Sequence, residues 1–155
     1  MRDPLTILRE SKTIAMIGAS PNPSRESHGV MHYLLAQGYH VIPVRPDCDE
    51  VLGVACVPTV GEIDEPIDMV DVFRRPEFCA AHAQEAVAAG AGSLWLQLGI
   101  RSPEARSIAE AAGLDYVEDA CTAALHARNL RADESPVPGT GVPGTACRLS
   151  RGAEI

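Results

Sequence analysis

The stretch TIAMIGASPNPSRESHGV, Thr13 to Val30, decides how this chain folds. It passes from an apolar segment, TIAMI, through a loop of Gly, Ser, Pro and Asn with one Arg, into an apolar pattern of helical spacing. A short apolar run without polar alternation is what a strand buried on both faces requires, as in the parallel sheets of α/β proteins. In the continuation ESHGVMHYLLAQG, Val30, Met31, Leu34 and Leu35 share one helical face. Glu26 or Ser27 is placed to cap the start and Gly38 to stop it. The order is therefore strand, loop, helix. The loop lies where unpaired backbone N–H groups meet the positive end of a helix dipole.

The same unit recurs along the chain. Apolar segments stand at His40–Val44 (HVIPV), Met69–Phe73 (MVDVF) and Ser93–Leu98 (SLWLQL), with a weaker one at Leu114–Val117 (LDYV). Between them, RPEFCAAHAQEAVAAG puts Pro76 early in a helix, turns Phe78, Ala83, Ala86 and Val87 inward and ends at Gly90. SPEARSIAEAAG repeats the design with Ser102 as N-cap, Pro103 at the first helical position and Gly113 as the stop. Alternating strands and helices at this spacing predict right-handed crossovers and an α/β fold, a Rossmann-like three-layer sandwich with a five-stranded, mostly parallel sheet. This domain spans 1–130. The remainder, 131–155, is rich in Pro and Gly, has no periodic apolar face, and reads as a loosely ordered or partner-docked extension.

Bulk composition bounds the function. The 155 residues are 46% hydrophobic and 22% charged, as expected of one folded soluble domain. No apolar run is long enough to span a bilayer, and MRDPLTILRE lacks the features of a secretory signal, so a cytoplasmic location is expected. The five cysteines include no Cys-x-x-Cys, and none has a histidine at metal-ligand spacing, which argues for reduced thiols and no metal site. A formal net charge of -8 repels polyanions and argues against nucleic acid or an anionic membrane as partner. A small anion remains accessible wherever donors cluster locally.

The opening loop is such a cluster. Gly18 permits close backbone approach, Ser20 adds a hydroxyl, and Arg25 carries a fork of donors suited to phosphate oxygens. Neither the dinucleotide G-x-G-x-x-G nor a Walker lysine is present, so position carries the reading; a plain turn with a capping Ser and a surface Arg is the alternative. After the second strand the chain reads PVRPD. An NAD-specific domain usually has an acid there, whereas Arg45 suits a ribose bearing a phosphate, as in NADP or coenzyme A. Pairing of Arg45 with Asp47 or Asp49 is the competing reading.

With GASPNPSRESHGV, YHVIPVRPDCDEVLGVACVPTV, DMVDVFRRPE and SLWLQLGI in order, the chain resembles the small stand-alone CoA-binding domain proteins. These are related to the N-terminal domain of the succinyl-CoA synthetase alpha subunit. The resemblance covers about Leu5 to Leu130 and implies a Rossmann-like domain that binds coenzyme A or an acyl-CoA. It implies no established catalysis for most members. By position, Gly18, Ala19, Ser20 and Arg25 match the phosphate loop, and Arg45 and Pro46 match the family's Asn-Pro near the adenosine. Val72, Phe73 and Arg74 match the segment covering the nucleotide, and Gln97 to Gly99 the approach to the pantetheine arm. Two departures stand out: Arg45 replaces the usual Asn, and the family's closing Asp-Arg-Cys is Asp119, Ala120 and Cys121 here.

Cys121 is either a thiol facing the ligand or a small core residue. Trp95 and Tyr116 are expected in the core, while Phe73 is open to either role. Arg74 and Arg75 are candidates for phosphate, or for pairing with Glu77 at a helix start. His28 and His32, one helical turn apart, lack a third ligand and are expected at the surface. No residue pair has a nucleophile–base or acid–base arrangement, so ligand binding without catalysis is the expected function. An NAD(P)-binding oxidoreductase module and a subunit of an acyl-CoA-forming complex are the alternatives. A sheet edge left exposed admits a homodimer.

Overall fold

In the computed structural model the described residues are 1–130, so the extension at 131–155 lies outside them. The main strands are β1 (Thr13–Ile17), β2 (His40–Val44), β5 (Met69–Val72), β6 (Ser93–Leu96) and β7 (Asp115–Val117). They form one sheet in the order β2-β1-β5-β6-β7, with every adjacent pair parallel. This is the expected α/β Rossmann-like architecture. The order reverses between β1 and β5, which marks the switch point at which ligands of such sheets bind.

Both faces of the sheet are buried, which explains the missing polar alternation. Along β1, Ala15 and Ile17 enter one core cluster and Ile14 and Met16 the other. The first cluster includes residues of α3 (Pro76–Ala88) and α4 (Pro103–Ala111); the second draws on α1 (Pro4–Glu10), α2 (Glu26–Ala36) and α5 (Thr122–Asn129). Trp95 and Leu94 follow the same alternation on β6, and both are fully buried. A side chain of that kind contributes about 1.5–3 kcal/mol. Trp95 also donates its indole N–H to the carbonyl of Ala120 at 2.8 Å. Tyr116 is buried as expected, its hydroxyl bonded to Ser102 and Glu118.

Strand boundaries agree with the sequence reading at β1 and β2. β5 and β6 stop one and two residues short of the apolar segments, although the N–H of Phe73 still donates to Ile17 at 2.9 Å and that of Gln97 to Val72 at 3.3 Å. Pro43, which cannot donate to a ladder, is accommodated because β2 is the sheet's edge strand. Helices α1 and α5, the antiparallel ribbon β3 (Glu50–Val51) with β4 (Val54–Ala55), and a 3-10 turn at Val60–Glu62 add to the elements read from sequence.

The expected cap of α2 is corrected. Its N-cap is Arg25, and no side chain caps the helix. Ser27 is turned inward, where its Oγ accepts the N–H of Ser20 at 3.1 Å, and a guanidinium has no acceptor to offer. For α4 the reading holds in full: Ser102 Oγ accepts the N–H of Ala105 at 3.1 Å and Pro103 opens the helix.

Candidate functional site

A cleft of about 830 Å³ opens at the carboxyl ends of the strands, over the switch point. Its walls come from the segments that follow β1, β2, β5, β6 and β7, and from α5. Of the residues singled out in the sequence, Gly18, Ser20, Arg25, Arg45, Phe73, Arg74, Gln97, Gly99 and Cys121 line it together. Ala19 and Pro46 do not. Ala19 is fully buried and contributes its carbonyl, which accepts from Arg45 Nη1 at 3.3 Å, while Pro46 is exposed beyond the rim.

The floor of the opening loop is set by Gly18. Its φ of +85° lies in the left-handed region, and a Cβ there would stand 2.4 Å from the carbonyl oxygen of Phe73. Only glycine allows the two crossover loops to approach so closely. Ser20 Oγ accepts the N–H of Asn22, and Asn22 Oδ1 accepts from Ser24 N–H and Oγ–H, which holds the loop in a fixed turn before α2.

Three helix N-termini meet here. α2 starts after Arg25 and α3 after Arg75, neither with a side-chain cap, and α5 starts after Cys121, whose Sγ accepts the N–H of Ala124 at 3.4 Å. Each brings the positive end of its dipole. Five of the chain's 13 basic residues line the cleft, Arg25, Arg45, Arg74, Arg75 and Arg128, against two acids, Glu26 and Asp119. A protein of net charge -8 thus presents one cationic concavity, the local override of global charge that an anionic ligand needs.

The arginines differ in their commitments. Arg45 bridges Asp47 at 2.9 Å and Ala19 while lining the cleft, so the expected pairing with Asp47 is present in the cleft wall itself. Asp47 is held below the usual carboxylate range by the hydrogen bond from Arg45 and by its charge. Arg75 pairs with Glu77 at 3.5 Å, whereas Arg74 stacks its guanidinium 4.4 Å from the centre of the Phe78 ring. Phe73 is half-buried, packed against the second core cluster and lining the cleft wall.

At the opposite end, Gln97 is 3% exposed. Its Nε2 donates to Asp71 Oδ1 at 2.6 Å and to Thr122 Oγ1 at 2.9 Å. Asp71 is wholly buried in the central strand between Met16 and Trp95, and burial pushes its carboxyl up to about 7, against the pull of the Gln97 and Thr122 hydrogen bonds. Asp119 fastens the rim. It accepts the N–H of Gly99 at 2.7 Å and pairs with Arg101, and the Gly99 bond is the main reason its carboxyl lies below the usual range.

Sequence reading did not find Arg128, Leu125, Ala124, Ile100, or the role of Asp71. The spacing of Cys121, Ala124, Leu125 and Arg128 is a helical stripe that was available as a signal, as was a lone Asp inside MVDVF. Among the described residues no group of three His, Cys, Asp or Glu side chains is placed to hold a metal ion, and no helix is long and apolar enough to cross a membrane.

The fold and cleft define a Rossmann-like α/β domain with an arginine-lined mouth at the switch point. Residues 12–127 match the family model described as CoA binding domain, and the chain belongs to that family. It is 41% identical over 121 residues to the uncharacterized protein YneT of Bacillus subtilis (strain 168), covering 78% of this chain and 90% of that one. Among solved structures it is similar to a hypothetical protein from Pyrococcus horikoshii OT3, with 41% identity, a TM-score of 0.80, and 83% and 90% of the two chains covered. A protein from Thermus thermophilus is similar at 39% identity and a TM-score of 0.77, with 82% and 98% covered.

Proposed function

We propose that the cleft binds coenzyme A or a short acyl-coenzyme A without turning it over. The observation that carries this reading is the gathering of five arginines and two uncapped helix starts around one cleft in an acidic protein. Coenzyme A presents a pyrophosphate, a 3'-phosphate on the ribose and a long neutral arm. The pyrophosphate would lie on the loop from Gly18 to Arg25, against the start of α2. Arg45 or Arg74 would meet the 3'-phosphate, and the arm would run past Gln97 and Gly99 toward Cys121. The arginines support holding charge and not moving protons, since a guanidinium stays protonated near neutral pH.

A second reading, an NADP-binding module, draws on the same Arg45, because a ribose 2'-phosphate suits that fork equally. Isothermal titration of the reduced protein with coenzyme A, dephospho-coenzyme A, NAD and NADP separates the two. Micromolar binding of coenzyme A, weakened both by loss of the 3'-phosphate and by Arg45→Ala, is the expected result. Binding of NADP without coenzyme A would replace the first reading by the second.

A further inference from the structure

The amide of Gln97 is not free to choose its orientation. Both of its N–H bonds point inward, to Asp71 Oδ1 at 2.6 Å and Thr122 Oγ1 at 2.9 Å, and Thr122 in turn donates to Asp71 Oδ2 at 3.5 Å. Above about pH 7, where its carboxyl is ionised, Asp71 has no proton to give, so it accepts from both partners and selects one of the two amide orientations. Gln97 Oε1 receives no hydrogen bond among the described residues. The single buried side-chain polar atom without a partner there is His82 Nε2, so Gln97 Oε1 reaches the open space of the cleft that Gln97 lines.

We propose that Asp71 is a positioning residue for the ligand: by holding the Gln97 amide with nitrogen inward and oxygen outward, it makes this corner of the cleft a fixed hydrogen-bond acceptor that reads an amide N–H of the ligand's arm. The inference rests on the coenzyme A reading, since the pantetheine arm is the part of that ligand that carries secondary amides. A site that reads a donor through a buried acceptor discriminates strongly against a ligand, or a protein variant, that leaves the pair unmatched. The burial of a carboxylate in a central strand, unfavourable for folding, then has a use that a neutral residue could not supply. An Asn at this position carries its own N–H groups and can be satisfied with the Gln97 amide turned around, nitrogen outward.

The test compares two ligands with the same phosphates, coenzyme A and adenosine 3',5'-bisphosphate, which lacks the arm. Titrations are run at pH 8 on the full chain and on Asp71→Asn, Gln97→Met and the double variant, with circular dichroism to confirm folding. Asp71→Asn is expected to weaken coenzyme A by about tenfold and to leave the bisphosphate within about twofold. Gln97→Met should do the same, and Asp71→Asn should add no further loss in the Gln97→Met background, as required of a residue that acts through another. Equal losses for both ligands, no loss of coenzyme A, or additive effects in the double variant would overturn the proposal. If Asp71→Asn fails to fold, the selective loss in Gln97→Met decides for the acceptor, and its absence decides against it. Should the unaltered protein bind neither ligand, the coenzyme A reading itself fails, a result distinct from a bound coenzyme A that is indifferent to Gln97.

Discussion

Helices α4 and α2 begin at the same edge of the molecule in opposite ways. α4 starts with Ser102 accepting its own first-turn N–H, whereas α2 starts with Arg25 and no side-chain cap. α1 follows the first pattern, with Asp3 accepting from Thr6, and α3 the second, with Arg75. Both open starts lie on the cleft rim, where α5, capped by Cys121 Sγ, also begins, whereas Ser102 and Asp3 do not line the cleft. A cap consumes donors that a ligand would otherwise use, so the same groups cannot both finish the helix and hold an anion. The cleft also carries two glycines at positive φ, Gly18 and Gly99, and lies over the buried carboxyl of Asp71. Two uncapped helix starts and a buried carboxyl thus depart from local rules around one cleft.

The largest test of that contrast is pH. Asp71 has a folded pKa of about 7, above the ordinary 3.8 of an unfolded carboxyl, so the native state holds the extra proton between those values. Its contribution to stability is therefore greatest below about pH 4 and is lost as pH rises through 7. Other carboxyls have lowered values and act in the opposite direction, so the clean measure is the difference between the protein and Asp71→Asn in denaturant titrations. That difference should shift in favour of the variant, on the order of 4 kcal/mol from pH 4 to pH 8. A flat difference would mean that the carboxylate is not costly where it stands.

Next in size, Gly18→Val should destabilise the fold by about 3 kcal/mol through backbone strain and overlap with the Phe73 carbonyl, and should abolish ligand binding. Thermal melts and titration check both parts. Exchanging the two kinds of helix start gives the sharpest comparison. Arg25→Ser supplies a cap and removes a cation, so about tenfold weaker coenzyme A binding should accompany a gain of roughly 0.5–1 kcal/mol in stability. Ser102→Ala should cost about 1 kcal/mol and leave binding unchanged. Loss of both properties together in either variant would erase the distinction between open and closed starts.

How much of this was legible depended on the range of the interaction involved. β1 and β2 could be bounded to the residue because a strand buried on both faces is a local apolar run, and the stops at Gly38, Gly90 and Gly113 are local too. The N-cap of α2 was misread because Ser27, a good cap by type, has its hydroxyl committed to Ser20 across the loop. Arg45 bonds Asp47 and lines the cleft at once, so its neighbours along the chain do not separate its two readings. α5 brought Arg128 and Leu125 to the cleft without a motif to mark them. The partnership of Asp71, Gln97 and Thr122 joins residues 25 to 51 positions apart and has no local trace.

By itself the sequence determined the alternation of strands and helices, the doubly buried sheet and membership in a CoA-binding family. Each of these rests on periodicity, turn chemistry or short motifs, which are properties of neighbours along the chain. Only the tertiary structure decided which helix starts remain uncapped, which arginines stay with the cleft, and which way the Gln97 amide faces. Those outcomes depend on donors and acceptors brought together by parallel pairing of distant strands, where burial makes each unmatched polar group costly and so selects one arrangement.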